Sequence, residues 1–332
     1  MKDKIRGYIQ LTRPYAAYLI PSIVLIAAIC NGKPSVQEFL ILLLIGVFLH
    51  IVLMVQNDYF DVEIDKRSPF VSDRPLVTGI ASIRGALILW LSASIISLII
   101  TKIFFSNKAF LSLLLTLLLF TLYNKYSKNI PGMEYILGLA AFTSGLFGAY
   151  AVSDNLSTLS LIISLLALLK YVFNVGVSAN MKDLKYDRLS GLKTTPMIFG
   201  VKAKGEKLYS SSTFIAYAIL LKLIYVTVSF IPILIGVVST MIYGFPIPLI
   251  ILSLCSIAIL VTLPRIFSAS DRSELVTYAG RQELLSYFIL PLASMSTIVD
   301  YQPLLFLLFL FGPPIWIKFS LRVFFKKDLP HE

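Results

Sequence analysis

The chain has 332 residues, 57% hydrophobic and 14% charged, with 29 Lys and Arg against 18 Asp and Glu for a net charge of +11. Soluble domains carry roughly a quarter charged residues, so an ordinary soluble protein is excluded; several apolar runs reach the about 20 residues that cross a bilayer. The positive balance reads as basic cytoplasmic loops that attract anionic lipid or substrate, not as nucleic-acid binding, and Cys30 and Cys255, both in apolar runs, give neither a disulfide framework nor a metal-ligand spacing.

Residues 1–14 carry Lys2, Lys4, Arg6 and Arg13 and are expected to form a short interfacial helix on the cytoplasmic side, without a cleavable signal peptide. A first span over 15–31 ends in the turn residues Asn31, Gly32 and Pro34. The second, 38–57, leads into NDYFDVEID at 57–65 and a loop with Lys66, Arg67, Arg74 and Arg84. The third and fourth, 83–105 and 109–123, precede the basic loop NKYSKNIPG with Lys125 and Lys128. The fifth, 133–152, is rich in Gly and Ala, which suits close helix packing. The sixth, 159–180, leads into NMKDLKYDRLSG at 180–191 and a basic loop up to Lys207. Further apolar segments lie at 208–229, 231–243, 246–264, 284–299 and 303–321. If the basic loops at 57–84, 124–131, 181–207 and 265–281 share one side, the segment at 231–243 extends the seventh helix or is re-entrant. Two more crossings then return Lys326 and Lys327 to the cytoplasm; Lys102 and Lys108 fall on the outer side against the rule. The expected fold is all-α: a polytopic bundle of ten spans, or nine if the last segment is only interfacial.

Helical positions three and four apart share a face. Asp58, Asp61 and Asp65 therefore form one carboxylate stripe with Asn57 at its edge, and Asn180, Asp183 and Asp187 repeat the arrangement, a weak internal repeat. One such pattern after a span is as readily a solvated loop; two on the predicted cytoplasmic face make that reading less attractive. Facing stripes suit Mg²⁺, which binds through a few carboxylates plus substrate phosphates, and Lys125, Lys128 and Arg74 are candidates for the remaining phosphate oxygens. The implied ligand is a diphosphate on a lipid tail. Glu63, Lys66 and Arg67 read as solvated. Lys170, inside the sixth span, either snorkels or belongs to the site; His50 reads first as a hydrogen-bonded packing residue and second as a lining one.

The chain resembles the UbiA family of intramembrane prenyltransferases. NDYFDVEID matches the family motif NDxxDxxxD, and DLKYD at 183–187 matches its DxxxD motif; DRPLVTG at 73–79, LTRP at 11–14 and the YNKYSK loop are similar to family patterns, over about residues 11–300. The apolar segment after 300 departs from the usual nine-helix bundle. The resemblance implies a helical bundle around a central cavity under a cytoplasmic cap. It divides the chain into an interfacial segment 1–14, a prenyltransferase membrane domain 15–300, and an extra apolar segment with a basic tail at 301–332. It implies two Mg²⁺ ions held by Asp58, Asp61, Asp65, Asp183 and Asp187, assisted by Asn57 and Asn180. Lys125 and Arg74 would bind the diphosphate, and the aromatic faces of Tyr59, Tyr123, Tyr126 and Phe173 lie near the site. The implied reaction moves a polyprenyl group from an isoprenyl diphosphate to an aromatic or lipid acceptor in the bilayer. An ion-coupled transporter is the alternative from another class.

Overall fold

A computed structural model describes residues 2–67, 71–189, 191–204 and 207–326; Ser190 and Lys327 lie outside them. Helix α1 (Lys2–Leu11) and a 3₁₀ turn (Pro14–Ala16) lead into α2 (Leu19–Asn31) at a 49° bend. Next come α3 (Val36–Asp65), α4 (Ile83–Phe104), α5 (Asn107–Tyr126) and α6 (Met133–Val152). Helix α7 (Thr158–Phe173) runs through a π-helical turn (Asn174–Ala179) into α8 (Asn180–Leu189) as one 32-residue span. A short α9 (Thr195–Ile198) and the strands β1 (Lys202–Lys204) and β2 (Lys207–Tyr209), paired antiparallel, separate it from α10 (Ser212–Leu234). Then follow α11 (Ile247–Thr262), α12 (Pro264–Ser268), α13 (Arg272–Ala293), α14 (Met295–Tyr301) and α15 (Pro303–Ser320), the last ending in a second π turn (Leu321–Phe325). Eight described helices are long and apolar enough to cross alone; the bent pairs α1–α2 and α13–α14, the latter folded by 63° after Pro291, raise the number to ten.

Local chemistry accounts for the boundaries. Ser35 caps α3 in a capping box: its Oγ accepts from Glu38 N at 3.2 Å and the Glu38 carboxylate accepts from Ser35 N at 2.7 Å. Helix α10, the seventh expected span, ends at Leu234, with Pro232 inside its last turn, so part of 231–243 extends it and the rest is a turn closed by a bridge between Ile242 and Phe245. Residues 265–281, expected as a loop, are mostly helical, because Asp271 caps α13 by accepting from Glu274 N at 2.9 Å. Hydropathy alone does not see that polar first turn. The basic stretch after Asp187 likewise holds the last turn of α8, α9 and a hairpin.

The main core fills the bundle between α2, α3, α5, α6, α7, α10, α11 and α13. Gly148 makes the α2–α6 contact possible: a Cβ there would meet the Val24 carbonyl oxygen at 2.1 Å. Outward positions such as Ile95, Ile99, Leu111, Leu118 and Val261 are exposed apolar side chains on α4, α5 and α11, the faces a bilayer would cover. A second core, with Met181, Leu184, Val201, Phe214, Ile266 and Leu275, ties the α8–hairpin region to α10, α12 and α13, and Phe199 stacks on Tyr217 at 4.8 Å. This cap sits over the end of the bundle that carries both acidic stripes.

Candidate active site

Helix α3 is buried on more than one face. Leu42, Ile45, Leu49, Val52 and Gln56 are buried at helical spacing along one side, and Asp58, Asp61 and Asp65, also buried, form a separate stripe on roughly the opposite side of its last turns. Against the Gln56 side α5 supplies polar partners. Asn124 Nδ2 donates to the Leu53 carbonyl at 3.1 Å and to Gln56 Oε1 at 3.2 Å, and Gln56 Nε2 donates to Thr121 Oγ1 at 3.0 Å.

Two arginines pair with Asp58 and Asp65 of the first stripe. Arg74 pairs with Asp65 and lies 3.1 Å from Asp58 Oδ1. Its loop is fixed by turn hydrogen bonds from Val77 N and Thr78 N to the Arg74 carbonyl, both 3.0 Å. Leu76, the L of DRPLVTG, anchors that loop in a small core with Leu11, Val55, Val62, Ala81 and Ala86. The second arginine is Arg13, which pairs with Asp58 and reaches Asn57 Oδ1 at 3.3 Å. Asn57 in turn donates to Asp61 Oδ2 at 3.2 Å. Arg13 has left-handed backbone angles, φ 46° and ψ 61°, a conformation that costs a non-glycine residue roughly 1–3 kcal/mol. Its neighbours hold it there. His50 Nε2 donates to the Thr12 and Arg13 carbonyls at 2.9 and 3.2 Å, and Trp316 Nε1 of α15 donates to the Pro14 carbonyl at 2.6 Å. His50 is therefore a buried packing residue that shapes the α1–α2 break. Helix α15, the departure from the nine-helix pattern, crosses alongside that break, and the Phe324 carbonyl at its end accepts from Arg6 Nε at 3.0 Å and Gln10 Nε2 at 2.8 Å.

The second stripe follows the π turn, an irregularity frequent at functional sites. Gly176 in that turn lies against Glu134 of α6, where a Cβ would come within 2.9 Å of Glu134 Cγ. Glu134 accepts from Thr195 Oγ1, which ties the turn to the cap. Asn180 opens α8 and is partly buried. Arg272, at the first turn of α13, donates to Asp183 Oδ1 at 3.1 Å and to the Lys182 carbonyl at 3.2 Å. Asp187 is buried; its Oδ1 lies 3.3 Å from Lys128 Nζ and its Oδ2 has no hydrogen-bond partner.

Lys128 joins the two stripes. Burial opposes its charge, but Asp187, Asp61 and Asp183 outweigh burial and raise its pKa above the ordinary 10.5. The ammonium thus lies within electrostatic reach of carboxylates from both motifs. Of the sequence candidates, the structure brings together Asn57, Asp58, Asp61, Asp65, Arg74, Lys128, Asp183 and Asp187. It does not bring Lys125: that side chain is exposed, its ammonium 5.3 Å from the Tyr126 ring, with no ion pair among the described residues. Lys128, in the turn just after α5, points inward instead. Tyr123, half-buried, packs against the main core. Tyr59 faces Trp90 and Phe60, and Phe173 lies in the interior beside Lys222. Lys170 is buried on α7, paired with Glu283.

Sequence reading missed Arg13 and Arg272 as partners of the carboxylates. Arg13 carried a signal, a lone basic residue before the Pro that opens the first span; Arg272 carried only its place in a basic stretch.

Among the described residues no three His, Cys, Asp or Glu side chains converge on a single point. Basic side chains instead cap each stripe. The donors nevertheless fit a hard cation such as Mg²⁺: all are oxygens, one carboxylate oxygen of Asp187 is buried without a partner, and Mg²⁺ needs only one or two protein carboxylates when substrate phosphates supply the rest.

Residues 18–278 match the model of the UbiA prenyltransferase family. The chain is 26% identical over 222 residues to a digeranylgeranylglyceryl phosphate synthase of Natronomonas pharaonis, covering 66% of this chain and 76% of that protein. It is 27% identical over 206 residues to a 4-hydroxybenzoate octaprenyltransferase of Francisella tularensis subsp. novicida, covering 60% of this chain and 72% of that protein. A UbiA homologue of Archaeoglobus fulgidus, solved with GPP and Mg²⁺ bound, superposes with a TM-score of 0.59 at 19% identity over 88% of this chain and 99% of that one. These matches give no support to the transporter alternative. The chain is an integral membrane protein and belongs to the UbiA prenyltransferase family.

Proposed function

We propose that this enzyme transfers a polyprenyl group from an isoprenyl diphosphate to an aromatic or lipid acceptor, with Mg²⁺, at the capped end of the bundle. The observation that carries the reading is the meeting of two motifs, far apart in sequence, around Lys128. Asp58, Asp61, Asp65, Asp183 and Asp187 are assigned as metal ligands, with Asn57 and Asn180 assisting. Arg74, Lys128 and Arg13 take the diphosphate oxygens, in place of the exposed Lys125. Mg²⁺, when bound, supplies positive charge for the leaving diphosphate. The protein's part is to hold the donor's phosphate end against the basic groups, to keep water from the developing allylic cation, and to offer an aromatic face such as that of Tyr123. The relatives' names support the reading, since they join prenyl groups to 4-hydroxybenzoate or to a glyceryl phosphate lipid.

We divide the chain as 1–14 interfacial, 15–300 catalytic membrane domain, and 301–332 an added helix with its tail. The site faces the cytoplasm in this reading, because Lys66, Arg67, Arg74, Lys125, Lys128, Lys182, Arg188 and Arg272 gather at that end while Lys102 and Lys108 lie at the other. Single cysteines at Ser72 and Lys193 should be labelled only from the cytoplasmic side; labelling from outside overturns the orientation. The activity is tested by mass spectrometry of products from geranylgeranyl diphosphate and a panel of acceptors with Mg²⁺. A prenylated acceptor with release of diphosphate is expected. No product with any aromatic or glyceryl phosphate acceptor, in protein that binds the donor, overturns the reading.

A further inference from the structure

Below the carboxylates the bundle interior holds charge that donor binding leaves unused. Lys170 on α7 is 2% exposed and Lys222 on α10 is fully buried. Lys170 Nζ lies 3.7 Å from Glu283 Oε1 of α13, an ion-pair distance but longer than a hydrogen bond. Neither Lys170 Nζ nor the neighbouring Tyr171 hydroxyl, also buried, has a hydrogen-bond partner. Lys222 Nζ donates to Ser286 Oγ at 2.6 Å and sits 3.8 Å from the centre of the Phe173 ring. A rise of roughly 1.5 Å per residue puts Glu283 and Ser286 about 16 and 21 Å along α13 from Arg272, where its apolar stretch begins. Glu283 is 42% exposed, so the cluster is closed on its lysine side and open on its carboxylate side.

Charge at this depth is costly and marks function. A structural ion pair would need one lysine; here two lysines meet α13 one turn apart, at Glu283 and Ser286, while the Lys170 amine and the Tyr171 hydroxyl are buried without a hydrogen-bond partner. A single anionic group would give both a partner. We propose that Lys170, Lys222 and Glu283, with the Tyr171 hydroxyl, form the subsite for the anionic group of the acceptor, a carboxylate or a phosphate. The assignment rests on the prenyl-transfer reading for what the ligand is, while the anion site itself stands on the cluster.

The test measures equilibrium binding to the full-length protein in lipid nanodiscs, without donor or Mg²⁺, so its outcome is independent of transfer. Two charged and neutral pairs serve as probes: 4-hydroxybenzoate with 4-hydroxybenzamide, and an isoprenyl glyceryl phosphate with the matching isoprenyl glycerol. The pair that responds tells carboxylate from phosphate. The wild type should bind one anion about tenfold more tightly than its neutral partner, as a charge-assisted contact implies. Lys170→Met and Lys222→Met should each bring that ratio toward one. Glu283→Gln should raise it, because it removes the competing carboxylate. General damage to the fold weakens both members of a pair alike and leaves the ratio in place, so the ratio reads the contact. A ratio near one for both pairs in the wild type, an unchanged ratio in both lysine variants, or a fall in Glu283→Gln would each overturn the proposal.

Discussion

Asp58, Asp61 and Asp65 stand on a helix that runs unbroken for 30 residues and are held by arginines from the N-terminal break and from the DRPLVTG loop. Asp183 and Asp187 stand just past a π turn and are held by Lys128, from the loop after α5, and Arg272, from α13. Three aspartates of the first stripe are buried, whereas the Asp183 side chain is 37% exposed. Equal spacing in sequence has thus been built into two different environments. The first is a braced wall whose charges are matched within one half of the molecule. The second is a shorter, partly open ledge that depends on contacts from distant segments, with Lys128 as the group common to both.

The largest expected effects come from the carboxylates themselves. Asp61→Asn removes a charge with little change in volume and should lower transfer by more than about a hundredfold, the scale of losing a preorganised electrostatic contact. Asp187→Asn should do the same from the ledge. Steady-state kinetics on variants that elute as the wild type does would check both, and near-normal turnover in one would show that only the other stripe serves the reaction.

Next are the basic partners. Arg13→Ala and Lys128→Ala each remove a charge-assisted contact worth roughly 1.5–3 kcal/mol, so kcat/KM for the donor should fall about ten- to a hundredfold. Lys125→Ala, at the exposed position, should change it less than about threefold on the same scale. Equal effects at Lys125 and Lys128 would mean that general positive charge, not the contact with both stripes, explains the loss. Stability separates the two regions further. Removing one partner of a buried pair costs about 3–5 kcal/mol, so Arg74→Ala should lower the thermal midpoint more than Lys128→Ala, because Arg74 faces two buried carboxylates.

The smallest effect tests the reach of α15. Trp316→Phe keeps the ring and loses one hydrogen bond to the Pro14 carbonyl, worth about 1 kcal/mol. The donor KM should rise by about fivefold with kcat little changed, since Arg13 positions the phosphate end. An unaltered KM would reduce α15 to a packing element.

Much of this was legible in the sequence because membrane burial leaves a coarse signature. Apolar runs located α4, α5, α6, α7, α10 and α11 within a few residues and the start of α3, though not its last two turns, and the acidic stripes stood out against them. Where polar residues themselves form helix, the signature fails: the first turns of α13 are capped by Asp271 and look like a loop to hydropathy. The site was legible on the side of its acids, whose spacing is local. Its bases were less so. Lys125 on the last turn of α5 and Lys128 in the turn after it are three residues apart, and only tertiary packing decides which one points inward. Arg13 and Arg272 reach the carboxylates across 45 and 89 residues of chain, a relation no local pattern records.

The central claim is that both stripes act on one diphosphate. It is tested by the Mg²⁺-dependent binding of a non-ionising donor, geranylgeranyl thiodiphosphate, to the wild type, Asp58→Asn, Asp187→Asn and the double variant. If the two carboxylates serve one bound group, either substitution alone should remove most of the Mg²⁺-dependent gain, and the double variant should be little worse than the weaker single one. Sites that do not share a ligand give losses that add within roughly 0.5 kcal/mol. Additive losses would contradict the account and separate the two motifs into independent sites.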